Sequence, residues 1–181
     1  NVGCIQFFSF CVFFPLTLFP QTWQWVESPA EKSDTNIKSN WCTDIAVSSA
    51  QPGEAFAGGN FNNDTLIWGG FVLTLYPQSA TPNPMDCYLL NIDDNSIIHW
   101  AKRFGGKGRD NLAAIDTDSS GNIYSVGSFG KDLYVENDTL PGYDTITNTN
   151  DAFIIKHDSS GNLVWAKSIN GKLQQGGEDI H

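Results

Sequence analysis

Charge is scarce in this chain of 181 residues, and it is unbalanced. Asp, Glu, Lys and Arg together make up 17%, with 20 acidic residues against only 10 basic ones. A formal charge of -10 repels phosphate backbones and anionic lipid, so nucleic acid is excluded as an expected partner. Helical periodicity is missing from every stretch beyond residue 20. Methionine occurs once and the first residue is Asn1, so residue 1 is not expected to be a natural start. Cysteine is too rare for a disulfide framework: Cys4 and Cys11 lie in an apolar leader, which leaves Cys42 and Cys87. Two small buried thiols are the expectation. What is present are aromatics at 13%, 17 glycines and 8 prolines, too apolar for a disordered chain and too rich in turn residues for a helical bundle.

Residues 1–20 (NVGCIQFFSFCVFFPLTLFP) hold no charged side chain. The apolar run from Phe7 to Phe19 is shorter than a spanning helix and is broken by Pro15. It reads as the h-region of a secretory signal whose basic start is missing, with a retained anchor as the alternative. Export is the expected localisation, to the medium or the outer surface.

The rest of the chain repeats itself, which bears on the fold before any element is assigned. DCYLLNIDDNSIIHW (86–100) lies over DAFIIKHDSSGNLVW (151–165), matching Asp86 with Asp151, Tyr88 with Phe153 and Trp100 with Trp165. AVSSAQPGEAFAGGNF (46–61) lies over AIDTDSSGNIYSVGSF (114–129), matching Gly53 with Gly121 and Phe61 with Phe129. NDTL occurs at 63–66 and again at 137–140. The three pairs keep the same order in both copies.

Both copies alternate with period 2, the pattern of half-buried strands. Ile123, Ser125, Gly127 and Phe129 share one face, and Tyr124, Val126 and Ser128 the other. Phe153 and Ile155 share a face, as do Leu163, Trp165, Lys167 and Ile169. DSSGN turns at 118–122 and 158–162 bound the strands, with a glycine to supply positive φ. The second copy is thus expected as strands at about 111–117, 122–129, 151–157 and 163–169, with an excursion at 131–150. The first copy covers about 43–104 on the same plan.

Four-stranded antiparallel units at this period are what propeller blades look like. The fold class is therefore all-β: a β-propeller fragment of about two blades with a partial strand at each end. Leader 1–20 precedes an outer strand and linker (21–39), in which Trp25 sits where Trp165 does. Blade 1 follows at 40–108, blade 2 at 109–175, and 176–181 begins a third. Two blades cannot close a ring of typically four to eight, so further blades are expected partners.

The string DAFIIKHDSSGNLVWAK (151–167) and the hairpin DSSGNIYSVGSF (118–129) resemble the SBBP-type β-propeller repeat. The resemblance covers roughly residues 21–181. It is weaker in the first unit, where Asp-Asn-Ser (94–96) replaces Ser-Ser-Gly. It implies a propeller on a secreted or cell-surface protein of Bacteroidetes-like bacteria, often with a C-terminal sorting domain that lies outside this sequence. It implies no common catalytic site.

Candidate sites are few. DTDSSGN (116–122) has the look of a Ca²⁺ loop built on Asp116, Asp118 and Asn122, but position 127 is Gly where an EF-hand needs Glu. A hairpin turn explains the same residues, so no cofactor is expected beyond that calcium alternative. Trp100 and Trp165 recur by unit, which suits packing between blades better than ligand stacking. Thr65 and Thr139, in the two NDTL strings, match an Asp-Thr-aliphatic O-glycosylation signal of Bacteroidetes. Asn63 and Asn137 head N-x-T sequons, and a tight turn accounts for both strings as well. His99, His157 and His181 lack metal spacing. The expected function is a non-enzymatic scaffold or interaction surface for a protein or glycan. The alternative is a propeller-borne hydrolase, lyase or quinone-type dehydrogenase.

Overall fold

The computed structural model describes residues 30–31, 40–77, 83–143 and 149–181. The apolar leader, Cys4, Cys11 and Trp25 lie outside the described residues. Thirteen strands are formed and no helix occurs among the described residues, so the protein is all-β. In chain order they are β1 (Ala30–Glu31), β2 (Asn40–Val47), β3 (Glu54–Phe61), β4 (Thr65–Trp68), β5 (Phe71–Thr74), β6 (Asp86–Asp93) and β7 (Ile98–Gly106). Then come β8 (Asn111–Thr117), β9 (Ile123–Phe129), β10 (Leu133–Val135), β11 (Asp138–Leu140), β12 (Asp151–His157) and β13 (Leu163–Ile169).

Each unit is an antiparallel meander, β2-β3-β6-β7 in the first and β8-β9-β12-β13 in the second. The alternation expected in β9 is met except at Val126: Ile123, Ser125, Gly127 and Phe129 are buried and Tyr124 and Ser128 are half-exposed, but Val126, on the face of Tyr124, is buried too. One face of each sheet, here called the back, carries Tyr88 and Leu90 in the first unit and Phe153 and Ile155 in the second. The front of the first unit (Phe56, Leu89, Phe104) meets the back of the second (Leu112, Ile115, Ile123, Phe129, Phe153, Ile155) in one core. Phe56, Leu89, Phe104, Leu112, Phe129, Phe153 and Ile155 are each at most 1% exposed, and each contributes roughly 1.5–3 kcal/mol. The back of the first unit has a core of its own, with Phe61, Tyr88 and Leu90 under Leu66 and Leu73 of β4 and β5. Among the described residues the sheets do not close into a ring.

The excursion behaves differently from the sequence expectation. β10 hydrogen-bonds to β7, pairing Leu133 with Gly106 and Tyr134 with Gly105, so the hairpin of the second unit extends the sheet of the first. β4 pairs with β1 in the same way, Leu66 with Glu31 and Ile67 with Ala30. Leu66 is therefore the counterpart of Leu133, and Leu73, its partner across β5, is the counterpart of Leu140. The two NDTL strings do not coincide: the first runs into the first strand of its hairpin, the second into the second strand. The excursion repeat lies instead in LIWGGFVLTLY (66–76) over LYVENDTLPGY (133–143).

Two further expectations fail at irregularities. Lys156 pairs with Trp165 and His157 with Leu163, so Val164 is a bulge residue. The bulge reverses the side-chain phase. Leu163 points into the back core and Trp165 to the front, where it meets Tyr124. His99 is the matching bulge in β7, between the pairs Asn91–Trp100 and Ile92–Ile98. Across the first hairpin, Ala46 pairs with Phe56 as Asp116 pairs with Tyr124. Ala46 thus corresponds to Asp116 rather than to Ala114, because residues 48–54 separate the paired Val47 and Ala55 where the shorter 118–122 separates Thr117 and Ile123. Cys42 and Cys87 form no disulfide among the described residues. β3 separates the strands that carry Cys42 and Cys87, and two strand spacings, about 10 Å, exceed the reach of a disulfide. Cys42 donates to the carbonyls of Asp44 and Gly58, both at 3.2 Å.

Candidate functional site

The most elaborate constellation among the described residues is the joint between the units, and some of its parts recur on the second unit's front. A cross-strand row on the first front runs Ala46, Phe56, Asn91, Trp100. Trp100 stacks near Phe56, with ring centroids 5.8 Å apart, and its Nε1 donates to the Ser159 carbonyl of the second unit at 3.1 Å. Gly161, at φ 79°, lies beneath the indole, and a Cβ there would come within 2.7 Å of the ring. Glycine is required twice over, for the left-handed backbone and for the close approach. Gly121, also at φ 79°, sets the other turn of the second unit against Ala50 and Gln51 of the first. Its counterpart Gly53 has φ 90° and lies beside Asp94 of its own unit.

Polar groups lock the register of this joint. Asn60 is fully buried and acts as a surrogate strand: its Oδ1 accepts from Leu112 N at 2.7 Å and its Nδ2 donates to Leu112 O at 3.1 Å. Asp44, where the second unit has Ala114, accepts from Ile115 N at 2.9 Å. Gly58 leaves room for Leu112 and Ile115, whose methyl groups fill the space a side chain would take.

On the second unit the equivalent row is Asp116, Tyr124, Lys156, Trp165. Lys156 Nζ donates to Tyr124 Oη at 2.6 Å and to Asp118 Oδ2 at 3.3 Å. These bonds, the Tyr124 one first, hold the lysine pKa above its ordinary value, so it stays an ammonium. The tail follows the path that β8 takes over the first unit. Gln175 N donates to Asn150 O at 2.7 Å as Asp110 N donates to Met85 O at 2.9 Å, and Gly177 N donates to Gly127 O at 3.0 Å.

The Asp116, Asp118, Asn122 set divides. Asp118 accepts from Ser120 N, Asn122 N and Asn122 Nδ2 through Oδ1, and from Asn122 Nδ2, Tyr124 and Lys156 through Oδ2. Those donors, Asn122 first, drive its pKa far below the carboxylate range. Asp116 accepts from Thr117 N and takes no part in the turn. Asp158 and Asp93 build the same turn through the N–H groups two and four residues on. Among the described residues no group of three or more His, Cys, Asp or Glu is placed to hold a metal ion. Of the glycosylation candidates, Thr139 and Asn137 are exposed on the β10–β11 hairpin, whereas Thr65 is half-buried and Asn63 is only 4% exposed. Phe61 and Phe129 occupy equivalent fully buried positions, paired with Asp86 and Asp151.

Those two aspartates carry a role that the repeat alignment did not disclose. Asp86 Oδ2 accepts from Tyr76 N and Asp151 Oδ2 from Tyr143 N, each at 2.7 Å, so each ties the end of its excursion to the sheet. Tyr76 and Tyr143 are the last residues of the offset-67 repeat, and that spacing was the missed signal. In the first unit Arg103 Nη1 donates to Asp86 at 2.8 Å, and its guanidinium lies 5.5 Å from the Tyr76 ring, itself stacked on Tyr134. Asp110 is fully buried and accepts from Gly106 N at 2.6 Å and Gly130 N at 3.2 Å. Desolvation raises the pKa of both Asp86 and Asp110. Asp110 closes loops through both oxygens, whereas Asp86 works through Oδ2 alone and its Oδ1 is buried without a hydrogen-bond partner among the described residues.

The chain matches no protein-family model and no curated protein.

Proposed function

We propose that this chain is an exported, non-enzymatic β-propeller repeat module of the SBBP type, a scaffold or interaction surface for a protein or glycan at the cell surface. One observation carries the reading: three parts of the inter-unit joint recur outside it. Trp165 repeats Trp100, the Gln175–Asn150 bond repeats the Asp110–Met85 bond, and the β1–β4 ladder repeats the β7–β10 ladder. A module whose tryptophan, entry bond and edge ladder recur from unit to unit extends by adding units, which is the logic of a propeller or an array. On this reading Trp165 takes a Ser-Gly turn of a further unit as Trp100 takes Ser159 and Gly161.

The test is a polysaccharide hydrolase and lyase panel, together with the visible spectrum of the protein purified from its source. No turnover and no quinone band are expected. Turnover of any substrate in the panel, or a quinone band, would overturn the non-enzymatic reading. Protease treatment of intact source cells should remove the chain, and full protection would sink the surface location.

A further inference from the structure

We infer that the joint between the two units is acid-labile and that His157 is its trigger: gain of a proton by this buried imidazole expels it from the core and loosens the second sheet from the first. The geometry carries the argument. His157 ends β12 on the back of the second unit and is 1% exposed. Its ring lies 6.4 Å from that of Phe104, on the front of the first unit. Neither Nδ1 nor Nε2 has a hydrogen-bond partner among the described residues. The repeat places Ile92 at the same position in the first unit, so an apolar side chain satisfies the packing there. A histidine buried in this way is tolerated only while it is neutral, since a buried cation without a partner is far costlier than a buried dipole.

The charged groups around it do not supply that partner. Lys102 of β7 repels a proton on His157, and Glu136 of the β10–β11 turn and Asp158 of the β12–β13 turn attract it. Lys102 and Glu136 are already paired to each other at 2.7 Å. Asp158 accepts from Asn162 Nδ2 and from the N–H groups of Ser160 and Asn162. Desolvation dominates and pulls the His157 pKa from 6.5 down to about 4.

The folded value lies below the unfolded one, so the closed joint binds fewer protons than the open one. Stability is complete above pH 6.5 and is lost as the pH falls towards 4. At pH 4.5 the opening equilibrium should rise on the order of a hundredfold. Asp86 and Asp110, whose pKa values are raised, act in the opposite sense over the same range. A comparison with variants at position 157 removes their contribution.

The readout is amide exchange of Leu112 and Ile115, whose N–H groups donate across the joint to Asn60 and Asp44. Exchange is followed at pH 7 and pH 4.5 in the full chain and normalised to intrinsic rates. Protection should fall steeply at pH 4.5 in the wild type. It should hold in His157→Ile, the residue the repeat uses at 92, and in His157→Gln, which stays uncharged should the isoleucine variant fail to fold. Equal loss of protection in wild type and variants, or no loss in the wild type, overturns the proposal.

Discussion

Asp151 shows how much structure one carboxylate can hold in this chain. It accepts from Tyr143 N at 2.7 Å and Gly171 N at 3.2 Å, fastening the end of the excursion and the exit of β13 to one point. Asp151→Ala should therefore lower the unfolding free energy by about 1–3 kcal/mol, because two backbone donors lose their acceptor. A urea titration against the wild type measures it, and a loss within error would mean water replaces the carboxylate freely. The opposite change is available at Ser96, which sits at φ 65° where the other turns of its kind have Gly121 and Gly161. Ser96→Gly should raise stability by up to about 1 kcal/mol, the left-handed penalty of an L-residue less the entropy of glycine. An unchanged or lower melting midpoint would refute that.

At the scale of the strand, the sequence announced the four meander strands of the second unit nearly residue for residue, and the first unit on the same plan without separate strand bounds. Period-2 burial and Asp-x-x-Gly turns are local signals, and local signals survive in a single sequence. The bulges at His99 and Val164 are not local. They depend on which partner residue lies opposite, and so Trp165 was assigned to the face of Leu163. NDTL misled for a related reason: identical tetrapeptides enter different strands of their hairpins, while the true equivalence rests on Leu66, Leu73 and Tyr76 at dispersed spacing. Asn60 was invisible for a third reason, since nothing in EAFAGGNF marks its asparagine as a substitute for backbone. Leu112 N loses its buried acceptor in Asn60→Ala, and Leu112 O loses its donor. That substitution should cost about 2–4 kcal/mol, more than a typical single hydrogen bond because two buried groups are orphaned. Chemical denaturation tests it, and a cost below about 1 kcal/mol would show that the clip is dispensable.

Over the whole molecule, the same residue type is placed in two states. Trp100 is clamped between Phe56 and the Gly161 turn with its Nε1 bonded to Ser159, whereas Trp165 touches Tyr124. Trp100→Ala should destabilise by about 2–4 kcal/mol, and Trp165→Ala by less than about 1 kcal/mol in this chain. Equal losses from the two would mean that the second front is already covered. The ladder of β7 with β10 has a different consequence, one of timing. During synthesis the first four-stranded meander leaves the ribosome with β7 as a bare edge, and it stays bare until residues 133–135 have been made. The quantum of folding is therefore one unit plus the hairpin of its successor. A nascent chain stalled before Leu133 should expose β7 to chaperones or to a neighbouring polysome product, and one stalled after Leu140 should not.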